Sequence, residues 1–121
     1  MILADTSVWV DHFRHKESSL SGLLEQGLVL VHPFVIGELA CGNLKNRDQV
    51  LDMMSRLPMS VTASDAEVLE FIERKSLYGR GIGYIDMHLL AATVLTSDTQ
   101  LWTLDKRLQE VADREGVGYP A

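Results

Sequence analysis

The sequence predicts an α/β fold: a three-layer α/β/α arrangement with a central parallel sheet. Three observations lead there. Short apolar runs at Ile2-Leu3-Ala4, Leu28-Val29-Leu30-Val31 and Thr99 to Leu104 alternate with segments of helical periodicity. These runs are continuously apolar rather than alternating, as in strands covered on both faces. No hairpin signal joins any two of them, so the connections cross over and the strands run parallel.

Taken in order, Ile2-Leu3-Ala4 is a buried-type strand ending at Asp5-Thr6-Ser7, and the hydroxyl pair is suited to capping a helix. Ser7 to Arg14 reads as that helix. Glu17 to Gln26 forms a second, amphipathic one, with Leu20, Leu23 and Leu24 on one face and Gly27 as its stop. Leu28 to Val31 is the next strand. Pro33 suits the first turn of a helix running from Phe34 to Cys41, which Gly42-Asn43 closes. Gly37 has a cost inside that helix, which points to a close approach by another backbone. Arg47 to Leu57 is an amphipathic helix stopped by Pro58, and Met59-Ser60-Val61 a short strand. Ser64-Asp65-Ala66-Glu67 resembles a capping box opening a helix to about Leu77. A flexible turn, Gly79-Arg80-Gly81-Ile82-Gly83, delivers a helix over Ile85 to Leu95. Thr99 to Leu104 is a strand, Lys106 to Glu115 the last helix, and Val117 starts an edge strand.

At 121 residues the chain is read as a single domain, 1–121, with 46% hydrophobic and 23% charged residues. No repeat, low-complexity tract or linker divides it. No apolar run reaches membrane-spanning length, and the N-terminus lacks the basic region of a signal peptide. The lone Cys41 cannot close an intramolecular disulfide, which suits a reducing cytoplasm, and it reads as small core filler. The net charge of -6 argues against gripping nucleic acid by bulk charge. It leaves room for acids that hold cations, and for a basic protein partner.

Four acids carry the chemistry. The helix Ile85-Asp86-Met87-His88-Leu89-Leu90-Ala91-Ala92-Thr93-Val94-Leu95 is apolar on nearly every side, the mark of a helix at a domain centre. Asp86 sits near its start, and a carboxylate there needs a partner: a cap, an Arg or a metal ion. Asp5 and Asp105 each fall where a strand gives way to a helix, at the sheet edge where ligands bind. Either alone also reads as a plain N-cap. Glu38 lies in the helix leaving the second strand, where it also fits an ordinary amphipathic face. Four carboxylates aimed at one cleft repel one another unless a cation sits between them. Hard oxygen ligands with room for water suit Mg²⁺ or Mn²⁺. Such an ion can orient and deprotonate water for phosphodiester attack.

Four blocks in this order resemble a known family. Asp5-Thr6-Ser7 after the first strand, Pro33-x-x-x-Gly37-Glu38-Leu39, Asp86-x-x-Leu89-Leu90-Ala91-Ala92 and Leu101-Trp102-Thr103-Leu104-Asp105 are similar to the signature blocks of PIN-domain ribonucleases, and most of all to VapC toxins of bacterial toxin–antitoxin pairs. The resemblance runs from Ile2 to Val117. It implies a PIN-like fold and a metal-dependent endoribonuclease whose catalytic acids are Asp5, Glu38, Asp86 and Asp105. Asp5 and Asp86 would be the principal metal ligands; Glu38 and Asp105 would complete the pocket directly or through water. Thr6, Ser7 and Thr103 are candidates to orient these carboxylates, and read equally well as caps. The resemblance also implies an RNA substrate, a VapB-like antitoxin that lays a C-terminal segment across the cleft, and a homodimer.

Arg80, Lys106 and Arg107 adjoin the acidic segments and are candidate phosphate contacts, or else solvated surface charges. His12, His15, His32 and His88 show no zinc-ligand spacing and read as surface or packing residues. Asp86 and His88 project about 200° apart on their helix. Trp9 and Trp102 read as core, and Tyr84 as either packing or a base platform. Asp11, Asp98 and Asp113 read as surface or turn acids. The competing reading is a catalytically inactive PIN-like module that binds RNA or protein, whose mark would be a missing acid. A haloacid-dehalogenase-type phosphatase would need a second Asp where Ser7 stands. A receiver domain would need an acidic pair where Asp5 stands alone.

Overall fold

β1 (Ile2–Ala4) is the middle strand of the sheet, and the chain is built outward from it. The computed structural model describes residues 1–15 and 19–120. After β1 come α1 (Thr6–Arg14), α2 (Ser19–Glu25), β2 (Val29–Leu30), α3 (Pro33–Cys41) and α4 (Arg47–Ser55). α5 (Asp65–Arg74), α6 (Tyr84–Leu95), β3 (Gln100–Trp102) and α7 (Lys106–Arg114) follow. Among the described residues the sheet has three strands in the order β2-β1-β3, all parallel. Ile2 pairs with Val29 on one side and Gln100 on the other, and Leu3 with Leu30 and Leu101. The three-layer parallel architecture expected from the strand pattern is therefore present.

Because every strand runs the same way, all carboxyl ends meet at one edge. Asp5 follows β1, His32 and Pro33 follow β2, and Thr103 to Asp105 follow β3. That edge is where the candidate site stands. The strands themselves are almost wholly buried, as continuous apolar runs require.

α6 lies in the core. Every residue from Met87 to Thr93 is buried, and Leu89 and Leu90 have no exposed surface. Each fully buried leucine contributes about 1.5–3 kcal/mol by leaving water. Only the ends of α6 emerge, at Tyr84 and Ile85 and again at Val94 and Leu95. Trp9 and Trp102 are both core residues.

Several boundaries differ from the sequence expectation. The strands at Met59 and Val117 are single parallel bridges, Val31 to Met59 and Leu101 to Gly118, because the chain touches the sheet edge and leaves at once. The third strand is confined to Gln100–Trp102. α5 stops at Arg74, where Ser76 turns left-handed (φ 54°) and the Leu77 amide donates back to the Ile72 carbonyl. α4 ends at Ser55, short of Leu57. The expected helix start at Glu17 lies outside the described residues.

Two expectations about single residues fail. Among the described residues no backbone from another element approaches Gly37: a Cβ built there meets nothing within 4 Å. Cys41 is exposed, not core filler, because α3 buries its opposite face through Val35 and Leu39. No helix of the described residues is long and apolar enough to cross a membrane.

Candidate active site

Asp5 is the most firmly held of the four acids. It emerges from β1 with its own amide bonded to the Trp102 carbonyl (3.0 Å) and then N-caps α1. Its Oδ1 accepts from the Val8 amide (3.1 Å) and the Ser7 hydroxyl (2.5 Å), and its Oδ2 from the Thr103 hydroxyl (2.5 Å). Only 4% of Asp5 is exposed. So Asp5, and not the hydroxyl pair Thr6-Ser7 that follows it inside α1, is the cap, and it stands at the sheet edge as expected.

Thr103 and Ser7 tie the two strand ends together. Thr103 donates to Asp5 while its oxygen accepts from the Asp105 amide (3.0 Å). Ser7 donates to Asp5 while its oxygen accepts from the Leu104 amide (3.1 Å). Asp105 in turn caps α7, its Oδ1 accepting from the Arg107 and Leu108 amides at 2.8 and 3.1 Å. Its second oxygen takes no hydrogen bond among the described residues.

Glu38 reaches the same place from α3. Pro33 opens that helix, and the buried His32 caps it through Nδ1, which accepts from the Phe34 amide (3.0 Å). One turn later the exposed Glu38 meets Thr6, whose hydroxyl donates to Oε1 at 2.7 Å. Each of Thr6, Ser7 and Thr103 thus contacts one of the four carboxylates.

Asp86 completes the group from the first turn of α6. It is half-buried and has no hydrogen bond or ion pair among the described residues. Its carboxyl is pushed up to about 6, first by burial, then by the charges of Asp5, Glu38 and Asp105. All four acids therefore lie within electrostatic reach of one point. Among the described residues none of the four forms an ion pair with a Lys, Arg or His.

The acids do not close into a cage. Among the described residues no three His, Cys, Asp or Glu side chains are drawn together tightly enough to hold an ion alone. Carboxylates are hard oxygen donors, a kind that would suit Mg²⁺ or Mn²⁺ with water completing the shell. The oxygen-only donor set, charged and unpaired at Asp86, fits such an ion.

The basic candidates are placed less tightly. Lys106 and Arg107 stand exposed in the first turn of α7, directly after Asp105. Arg107 lies over Gly81, where an added Cβ would come within 2.4 Å of its Nη1. Gly81 also adopts φ +76°, so the turn needs glycine on both counts. Arg80 is turned back, its Nε donating to the Ser76 carbonyl (3.1 Å).

A second cluster was not legible as a unit. His32, Phe34, Tyr84 and His88 pack ring against ring, with centroids 4.7 Å apart for Tyr84–His88 and 4.8 Å for Phe34–His88. Asp65 accepts from Tyr84 and from His88 through one oxygen, at 2.7 and 2.9 Å. The signal available was the spacing of Tyr84 and His88, four apart on one helix face and opposite Asp86.

A parallel sheet with acids after two of its strands, and two more acids from α3 and the buried α6, defines a class, and comparison with known proteins gives it a name. The model of the PIN domain matches residues 2–114, and the chain belongs to that family. It is 43% identical over 117 residues to ribonuclease VapC32 of Mycobacterium tuberculosis, in two strains. The match covers 97% of this chain and 94% of the relative.

Proposed function

We propose that this protein is a metal-dependent endoribonuclease and the toxic member of a toxin–antitoxin pair. The observation that carries the reading is Asp86. Its charge is opposed by burial and by three other acids, and no cationic side chain among the described residues relieves it. A divalent cation would relieve all four at once. The full-length similarity to a protein named as a ribonuclease supports the same reading.

In this reading Asp5 and Asp86 would be the principal residues that hold Mg²⁺, or Mn²⁺. Glu38 and Asp105 complete the acidic pocket and position waters. A divalent ion so held supplies Lewis acidity and acidifies water for attack on phosphorus. Thr6, Ser7 and Thr103 keep the carboxylates oriented, as partners of ligands do elsewhere. Arg107 and Lys106 meet backbone phosphates beside the cleft, and Arg80 would join them by leaving the Ser76 carbonyl. The net charge of -6 means that RNA is met locally, through the ion and these few cations, not through a basic face.

The partners follow from the same surface. A VapB-like antitoxin would lay a basic side chain among the four acids and so displace the ion. Apolar residues left exposed on α3 and α6, Phe34 and Ile85 among them, offer a surface for a homodimer. The protein would act in the cytoplasm, where RNA and a reduced Cys41 are both at home.

The test is cleavage of RNA with Mg²⁺ or Mn²⁺ by the native chain and by Asp86→Asn. Cleavage by the native chain alone, abolished by chelation, is the expected result. Equal cleavage by both would sink the assignment of the site. Binding of RNA without cleavage by the native chain would favour the inactive-module reading.

A further inference from the structure

We propose that Asp65 is a positioning residue that fixes the rotation of α6 and thereby the aim of Asp86. The inference rests on the reading of Asp86 as a metal ligand. It begins from an asymmetry between two helix starts. α5 has a complete capping box: the Ser64 hydroxyl accepts from the Glu67 amide (3.1 Å) and Glu67 accepts from the Ser64 amide (2.9 Å). α6 has no side-chain cap, because Gly83 occupies that position. It also follows a turn with left-handed glycines at 79 and 81. The helix that carries Asp86 therefore does not secure its own first turn.

Asp65, the first residue of α5, supplies what is missing. One oxygen of its carboxylate accepts from the Tyr84 hydroxyl (2.7 Å) and from His88 Nε2 (2.9 Å). These are the residues two before and two after Asp86. On a helix they lie about 40° apart on one face, with Asp86 on the opposite face. A grip on that face resists rotation about the helix axis, the motion that would swing Asp86 most. A carboxylate about 5 Å from the axis moves about 2 Å for a 20° rotation. A displacement of about 1 Å already costs roughly 100-fold in well-aligned chemistry.

The contact is built for orientation. The side chain of Asp65 is 76% exposed, while that of His88 is 4% exposed. His88 packs against both the Phe34 and Tyr84 rings, and its Nε2 meets Asp65 at 2.9 Å. Phe34 belongs to the first turn of α3, the helix of Glu38. The same cluster thus braces the helices that present two of the four acids.

Asp65→Ala removes both hydrogen bonds, and Asp65→Asn keeps one acceptor oxygen that can take both. In the full chain in EDTA, amide hydrogen exchange should rise at least about fivefold at Met87 to Leu90 in the alanine variant, with α5 and β1 unchanged. Mn²⁺ titration without RNA should show affinity weakened at least about fivefold. RNA cleavage should lose about tenfold or more in kcat with KM within about twofold. Asp65→Asn should stay within about twofold of the native chain throughout. Unchanged exchange at Met87 to Leu90 in Asp65→Ala overturns the proposal, as does an asparagine variant as defective as alanine. If the native chain neither binds Mn²⁺ nor cleaves RNA, the ribonuclease reading fails and exchange alone judges the clamp. If the alanine variant loses protection everywhere, Tyr84→Phe makes the milder cut. A rise confined to Met87 to Leu90 is then expected, and its absence overturns the proposal.

Discussion

Thr103 donates its hydroxyl to Asp5 across 98 residues of chain, at 2.5 Å and away from solvent. The bond joins the ends of two neighbouring strands at the point where both acids of the sheet edge begin. Thr103→Val keeps the shape and removes both the donor to Asp5 and the acceptor of the Asp105 amide. A buried carboxylate that loses one of its three hydrogen bonds costs about 1–3 kcal/mol. Urea unfolding should show that loss in Thr103→Val and recover most of it in Thr103→Ser. Cleavage should follow the same order, since Asp5 is a proposed metal ligand.

Asp86 makes the metal-free protein less stable at neutral pH than its fold allows. Its carboxyl titrates near 6 in the folded state against an ordinary 3.8, so the native state binds the extra proton between those values. Stability from this group is full below about pH 4 and is lost as pH rises through 6. Asp86→Asn removes the loss. In EDTA at pH 7.5 the variant should be more stable than the native chain by about 1–3 kcal/mol, discounted for partial exposure. At pH 4 the two should agree. Mg²⁺ should stabilise only the native chain, by mass action on the folded state. A native chain as stable as the variant in EDTA at both pH values would remove Asp86 from the strained group.

His32 works in the opposite sense. Burial, and then the neighbouring His88, lower it to about 4 from an ordinary 6.5. Neutral His32 caps α3 through Nδ1, so protonation destroys the cap. Its contribution is present above pH 6.5 and is lost as pH falls through 4, up to about 3 kcal/mol. The two groups therefore oppose each other between pH 4 and 6, and the native profile there should be flatter than that of either variant. Asp86→Asn should expose a fall toward acid. His32→Asn, which preserves a capping side chain, should expose a rise. Urea midpoints at pH 4, 5, 6 and 7 in EDTA separate the two.

The strands and most helices were legible because each follows from local chemistry. Ile2-Leu3-Ala4 is apolar without interruption, and Ser64 with Glu67 closes a capping box wherever it occurs. The gathering of Asp5 and Asp105 at one edge followed from parallel topology alone. The hydroxyl partners were legible only as alternatives, since Thr103 beside a strand end serves either as a cap or as a carboxylate partner. Asp65 could not be read, because its role depends on how α5 lies against α6. His32 was equally opaque: a histidine before proline signals nothing until the chain turns its Nδ1 onto the next amide. Cys41 and Gly37 misled because sequence does not say which face of a short apolar helix is covered.

Two glycines should respond in opposite directions to the same substitution. Gly37 lies in the middle of α3, and a Cβ there meets nothing within 4 Å. Gly37→Ala should stabilise the protein by about 0.5–1 kcal/mol through helix propensity. Gly81 is held at φ +76° with the Arg107 guanidinium filling the place of a side chain. Gly81→Ala should cost about 1–2 kcal/mol from the backbone alone. It should also push Arg107 away from the turn. If Arg107 meets phosphate, as proposed, KM for RNA should then rise in Gly81→Ala while Gly37→Ala leaves it unchanged. Urea unfolding reads the first pair of effects and steady-state cleavage the second. Equal loss of stability in both variants would mean that Gly37 is crowded after all. A rise in KM for both would mean that the helix face at Gly37 also touches the substrate.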